Sequence, residues 1–143
     1  MIANGQKTPA EGPPHLSTIA PVRIRLAELD DARAIGSIYN AEVLTSTVTL
    51  DIIPWSETDE LAWLRRHRGA HPAVVAIDPA RRGDWVEPDE EGREIETLGA
   101  RGEIILGFGA LSAYRDRPGY STTVEDSVYV HADHRGRGVG RAL

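Results

Sequence analysis

Six consecutive residues, Arg135-Gly136-Arg137-Gly138-Val139-Gly140, follow an apolar stretch, Val128-Tyr129-Val130, after a short connection. A strand followed by such a turn presents a cradle of backbone N–H groups suited to a pyrophosphate. Glycines let the chain turn with positive φ and approach a ligand closely, and a helix starting at the last of them aims its unpaired amides at the anion. The spacing is not the dinucleotide pattern Gly-x-Gly-x-x-Gly, and it lacks the Lys-Ser/Thr pair of a nucleoside-triphosphate loop. What remains is an Arg-x-x-Gly-x-Gly turn entering a helix, with a plain glycine-rich turn as the alternative reading.

A carboxylate stands a few residues upstream. Side chains alternate along a strand, so Thr123, Glu125, Ser127 and Tyr129 share one face and Val124, Val128 and Val130 the other. A partly desolvated glutamate in that polar row has its pKa raised, which suits a general base working near neutral pH. On the pattern alone, a surface glutamate on an exposed sheet face is the commoner reading. Arg115 and Arg117 precede this strand, close to Tyr120. Their alternate spacing projects both to one side, where paired guanidiniums match the oxygens of a carboxylate or phosphinate, unless they are simply solvated. The five histidines give no convincing metal site. His67 and His71 are separated by Gly69, and His131 with His134 lacks carboxylate support.

These groups need a scaffold. Residues 1–20, rich in Pro, Gly and small polar residues, read as a flexible tail, and residues 21–143 as one domain. Val22-Arg23-Ile24-Arg25-Leu26 alternates as a half-buried strand does, and Asp30 is positioned to cap a helix burying Ala32, Ile35, Ile38 and Tyr39. Residues 45–50 read as a loop. A second helix opens at Ser56-Glu57-Thr58-Asp59, close to a capping box, and turns Leu61 and Leu64 inward. Residues 73–77 form a short buried strand. The stretch from Asp78 to Gly102, with a core at 79–102, is rich in Pro, Gly and acids and reads as a surface insertion, with a hairpin within 94–98. Two firm strands follow, at 103–114 with Ile104, Leu106, Phe108 and Ala110 on one face, and at 122–130.

Composition narrows the function classes. The chain has 143 residues, 41% hydrophobic and 27% charged, as ordinary globular domains do, and no stretch approaches the length of a membrane span. A net charge of −6 argues against a general nucleic-acid binder. The absence of cysteine rules out a thiol nucleophile, disulfides and thiolate zinc sites. A cytoplasmic location is the default, because the N-terminal residues lack the pattern of a secretory signal.

Taken together, the motifs resemble the GNAT superfamily of N-acetyltransferases, and within it the phosphinothricin acetyltransferase-like family. The superfamily motif is matched by Arg135-Gly136-Arg137-Gly138-Val139-Gly140. The narrower match is Thr123-Val124-Glu125-Asp126-Ser127-Val128-Tyr129-Val130, preceded by Tyr114-Arg115-Asp116-Arg117-Pro118-Gly119-Tyr120, with Ile38-Tyr39-Asn40 and Thr45-Ser46-Thr47-Val48-Thr49 further upstream. The resemblance implies an α+β, three-layer GNAT-like acyl-CoA N-acyltransferase fold with a mixed central sheet. It also implies acetyl transfer from acetyl-CoA to a small amino-acid-like amine such as phosphinothricin, methionine sulfone or methionine sulfoximine. Glu125 is then the general base. The backbone of Val128, Tyr129 and Val130 pairs with the pantetheine arm, and Gly136 to Arg141 hold the pyrophosphate. Arg115, Arg117 and Tyr120 take the acidic end of the substrate, while Ser46 and Thr47 line its pocket. Neither metal nor nucleic acid nor membrane is implied, and a homodimer is left open. Much of the family's second half does not follow Leu143, so the 143 residues are expected to act as an incomplete enzyme with weak coenzyme binding. A non-catalytic module that binds acyl-CoA or completes its sheet with a partner is the competing expectation.

Overall fold

The computed structural model describes residues 21–82 and 97–143. Strand β1 (Arg23–Leu26) leads through a short 3-10 turn into helix α1 (Ala32–Thr45), then helix α2 (Glu57–Arg66). Strands β2 (Ala73–Arg82), β3 (Glu103–Ala113) and β4 (Val124–Val130) complete a sheet of order β1-β2-β3-β4, and helix α3 (Val139–Ala142) follows. All pairings among the described residues are antiparallel, so the expected mixed sheet has here only its antiparallel part. Among the described residues no helix is long and apolar enough to cross a membrane.

Each face of the sheet buries its own cluster. Ile35 and Ile38 of α1 and Leu64 of α2 pack with Val75, Ile77, Ile105 and Phe108 on one face. On the other, Ala76, Ile104 and Leu106 pack with Val139 and Leu143. The simple alternation expected for β3 therefore fails between Leu106 and Phe108. Ala76 pairs with Gly107 but Ile77 with Ile105, which leaves Leu106 as the extra residue of a bulge. The bulge restarts the alternation and turns Phe108 to the helix side. The Leu106 carbonyl accepts the His131 N–H at 3.0 Å, which fixes the end of β4.

Local signals explain most helix ends. Ser56 caps α2: its hydroxyl accepts the Asp59 N–H while the Asp59 carboxylate accepts the Ser56 N–H at 3.0 Å. At α1 the sequence pointed to the wrong neighbour. Asp30 is exposed, and it is the fully buried Asp31 that accepts the Glu28 N–H at 2.7 Å. Arg25 donates to Asp31 through both terminal nitrogens, at 2.6 and 2.9 Å, and through Nε to Glu103 at 2.7 Å. Arg23 also pairs with Glu103, and the Ala100 N–H donates to Asp31 at 2.7 Å. This network ties β1, the start of α1 and the entry to β3 together. It also narrows the expected insertion. Residues 79–82 belong to β2, Thr97 and Ala100 are buried, and Leu98 bridges Ile104. Residues 83–96 of the expected insertion, with most of the expected hairpin at 94–98, and the N-terminal tail lie outside the described residues.

Gly107 packs directly against the β4 backbone. A Cβ there would stand 2.6 Å from the Tyr129 carbonyl oxygen, a backbone atom held in the ladder. Gly107→Ala is expected to destabilise the fold by about 1–3 kcal/mol, the usual cost of overpacking, measurable as a lowered urea midpoint with unchanged slope.

Candidate active site

The helix side of β3 and β4 floors a cleft of about 380 Å³. Phe108, Ala110 and Ser112 alternate along β3, and Tyr129, Ser127 and Glu125 are their respective cross-strand partners. Tyr39 of α1, Trp55 of the α1–α2 connection and Trp63 of α2 form the facing wall, and residues 48–51 the rim. Five rings close a circle: Tyr39 stacks on Trp55 (centroids 4.0 Å apart), Trp55 meets Trp63 (5.4 Å), Trp63 meets Phe108 (5.7 Å), Phe108 stacks on Tyr129 (5.2 Å), and Tyr129 meets Tyr39 edge-on (5.3 Å). Contacts of this kind add to burial energy and fix ring orientation.

Trp55 owes its place to Asn40. The Asn40 side chain donates to the Trp55 carbonyl at 3.0 Å and accepts its N–H at 2.7 Å, clamping the α1–α2 connection. Tyr39, one residue earlier, donates its hydroxyl to Asp51 at 2.7 Å. Burial and then that bond to Asp51 hold the Tyr39 hydroxyl in its protonated form to higher pH than an ordinary tyrosine. The Tyr129 hydroxyl is pushed the same way, first by burial and then by the charges of Asp51, Glu42 and Glu125.

Glu125 lines the cleft, as the alternation along β4 required, but it is exposed. It is not buried as expected, because β4 is the edge strand of the described sheet and only β3 covers one of its edges. Ser46 and Thr47 do not line the cleft. The Ser46 hydroxyl turns back to donate to the Glu42 carbonyl at 2.9 Å, and the rim is instead Val48, Thr49, Leu50 and Asp51. Arg115, Arg117 and Tyr120 are exposed in the β3–β4 connection and lie outside the lining. There Tyr120 packs edge-on against Tyr114, and the Arg115 guanidinium lies 5.1 Å from the Tyr114 ring centre. Tyr39, Asp51, Trp55, Trp63 and Ser112 were missed as site residues. They come from α1, the α1–α2 connection, α2 and β3, and only the Ile38-Tyr39-Asn40 match hinted at one of them.

Across β4 from the cleft, a strand edge that pairs with no other strand among the described residues leads to the glycine loop. In an antiparallel ladder, backbone groups point alternately to the two sides. The carbonyls of Ser127 and Tyr129 lie against Gly109 and Gly107 and the His131 N–H reaches Leu106, so 127, 129 and 131 address β3. Val128 and Val130 consequently address the open edge, and Tyr129 does not. Further on, Gly136 (φ +70°) and Gly138 (φ +82°) adopt the left-handed conformation that a side chain resists, and Gly138 caps α3. Gly140 lies over Val130, with room of 3.5 Å for a Cβ to the Val130 side chain. The loop arginines are already engaged. Arg135 donates from Nε to the Val130 carbonyl at 3.1 Å and pairs with Glu42, while Arg137 donates to His134 Nδ1 at 3.2 Å. Burial, with the charges of His131 and Arg137, pushes His134 below the ordinary histidine value, in keeping with a neutral acceptor. Arg141 is exposed on α3. Arg135 and Arg137 thus brace the loop through side-chain bonds.

A family model described as the acetyltransferase (GNAT) family matches residues 54–143. The chain is 30% identical over 126 residues to an N-acetyltransferase of Streptomyces griseus, covering 87% of this chain and 56% of that protein. It is also 30% identical over 124 residues to a phosphinothricin N-acetyltransferase of Streptomyces coelicolor, covering 87% and 61%. Among solved structures, an N-acetyltransferase from Staphylococcus aureus superposes with a TM-score of 0.64 at 27% identity, covering 86% of this chain and 61% of that one. A phosphinothricin acetyltransferase from Sinorhizobium meliloti, in complex with acetyl-CoA, superposes with a TM-score of 0.61 at 30% identity, covering 85% and 55%. The chain therefore spans little more than half the length of the relatives it matches.

Proposed function

Because the chain belongs to the acetyltransferase (GNAT) family, we propose that it transfers acetyl from acetyl-CoA to the amine of a small amino-acid-like acceptor held in the aromatic cleft. The observation that carries this reading is the division of β4: its side-chain face presents Glu125 to the cleft, while its backbone edge presents Val128 and Val130 beside a glycine loop. Acceptor and coenzyme would thus meet at one strand. Relatives named for phosphinothricin and for methionine sulfoximine and sulfone support the acceptor class.

The chain's own groups fit the coenzyme. The outward N–H and C=O groups of Val128 and the outward N–H of Val130 can pair with an amide-bearing arm as a further strand would, while Arg135 occupies the Val130 carbonyl. The positive-φ glycines leave the loop backbone open at Gly136 and Gly138, and the first amides of α3 have no intrahelical partner. Gly136 to Arg141 would hold the pyrophosphate through those amides, with Arg141 adding charge. Acetyl-CoA supplies the acetyl group as a thioester activated toward an amine.

Glu125 takes the proton that the acceptor's ammonium must lose before its lone pair can attack, directly or through one water. An outward N–H of β4 would donate to the thioester oxygen as negative charge builds there; the C–S bond would then break as the N–C bond is completed, and the leaving thiolate would take the proton that the new amide nitrogen loses, through water. Arg115, Arg117 and Tyr120, beyond the cleft's Glu125 end, would take the acceptor's acidic end. Ser46 acts at a distance, through the turn that carries Val48 to Asp51, and not as a pocket wall. The test is amine-dependent release of free thiol from acetyl-CoA with methionine sulfone and phosphinothricin, with the N-acetyl product identified by mass. No product with either amine or with a wider panel would overturn the proposal.

A further inference from the structure

His67 and Ser112 form a pair that the acetyl-transfer scheme above does not use. The His67 ring stacks on Trp63 with centroids 3.9 Å apart. Its Nδ1 lies 2.8 Å from the Trp63 carbonyl oxygen in the last turn of α2, and its Nε2 lies 3.0 Å from the Ser112 hydroxyl. A carbonyl oxygen only accepts, so Nδ1 carries the proton. In the neutral ring Nε2 must then accept, and Ser112 must donate its one hydrogen to it. The serine's lone pairs are left for the cleft, which Ser112 lines directly across the ladder from Glu125.

Two carboxylates and the absence of a cationic side chain from the lining add to this acceptor character. Asp51 and Glu125 are carboxylates, the Tyr39 hydroxyl spends its hydrogen on Asp51, and no lysine or arginine is among the lining residues. The surrounding rings present π faces that attract a cation. Such a lining rewards a ligand that brings donors and positive charge.

We infer that Ser112 is a binding residue for a primary ammonium carrying an apolar body, and that His67 is its positioning residue, holding the serine as an acceptor. The ammonium lies between Ser112 and Glu125 in its charged form and rests its body on the aromatic wall. Only the later fate of the amine rests on the acetyltransferase reading; the seat itself does not.

The test therefore needs no coenzyme. Calorimetric titration of the chain with 2-phenylethylamine is expected to show saturable binding. Ser112→Ala and His67→Phe, which keeps the stacked ring but loses the acceptor, each weaken it about tenfold, the loss of one hydrogen bond to a charged group. Ser112→Thr restores it to near the wild-type affinity. Nitrogen NMR of His67 is expected to show a protonated Nδ1 and an unprotonated Nε2 at neutral pH. Unchanged binding in folded Ser112→Ala, a protonated Nε2, or no binding by the wild-type chain would each overturn the inference. Thiol release assayed in parallel separates the two ideas: binding without turnover contradicts the acetyltransferase reading alone.

Discussion

Glu125→Gln is expected to lower acetyl transfer about 10²- to 10⁴-fold, the range that removal of a general base produces. Glutamine has nearly the same shape, so the cleft and ladder persist, but it cannot take a proton. The amine then reaches the thioester mostly as an ammonium, without a lone pair. The loss should appear in kcat, with the affinity for acetyl-CoA nearly unchanged, because the coenzyme would lie along the backbone edge of β4 and not against this side chain. Raising the pH should recover part of the rate in the variant, since more of the acceptor is then already deprotonated. A variant as active as the wild type across pH would make Glu125 a solvated residue of an exposed strand.

The largest effect on stability is expected at Arg25. Its guanidinium is about one-tenth exposed and is shared by Asp31, which is fully buried, and Glu103, which is nearly so. Bonding to Asp31 first, and then to Glu103 against the cost of burial, strengthens the hold of Arg25 on its proton. Arg25→Met fills much of the same space but leaves the buried Asp31 carboxylate without its cation and Glu103 with only the half-exposed Arg23. Removing one member of a buried pair typically costs about 3–5 kcal/mol, a large share of what a domain of this size possesses. The lesion should show as a lowered Tm, with partial recovery in the double variant Arg25→Met with Asp31→Asn.

The same site sets an acid limit. Burial alone would push the Asp31 carboxyl up, but the bonds from Arg25 and from the N–H groups of Glu28 and Ala100 outweigh it and leave the group below its ordinary value. A carboxyl depressed by folding stabilises the native state fully above its unfolded pKa of about 3.9, and that contribution is lost as pH falls through the folded value. Glu60 has the opposite sign. Burial, then the charge of Glu57, raises its pKa, so its ionised form opposes folding. Glu60→Gln should therefore raise stability at neutral pH, with the gain vanishing in acid.

Much of this design is legible in one dimension. The cap at Ser56 and Asp59 is a contact between neighbours, and the two faces of β4 follow from strict alternation. The glycines of the turn announce positive φ because few other residues tolerate it. The remainder depends on contacts between distant segments. The bulge at Leu106 is a property of the β2–β3 pairing and shifts half of β3 to the other face. Arg135 looks like a phosphate ligand in sequence, but Glu42, 93 residues away, engages it. Asp31 displaces Asp30 because only Asp31 faces Arg25. The aromatic circle draws on five segments, so no short window contains it, and the Ser112–His67 bond spans 45 residues.

The most direct test follows the backbone amides of β4 and the glycine loop by NMR as acetyl-CoA is added to saturation. Large shifts and slowed hydrogen exchange are expected at Val128, Val130 and Gly136 to Gly140, with little change in exchange at Tyr129, whose amide already lies within the ladder. Perturbations confined to other segments, or equal protection of Tyr129 and its two neighbours, would contradict the placement of the coenzyme along this edge.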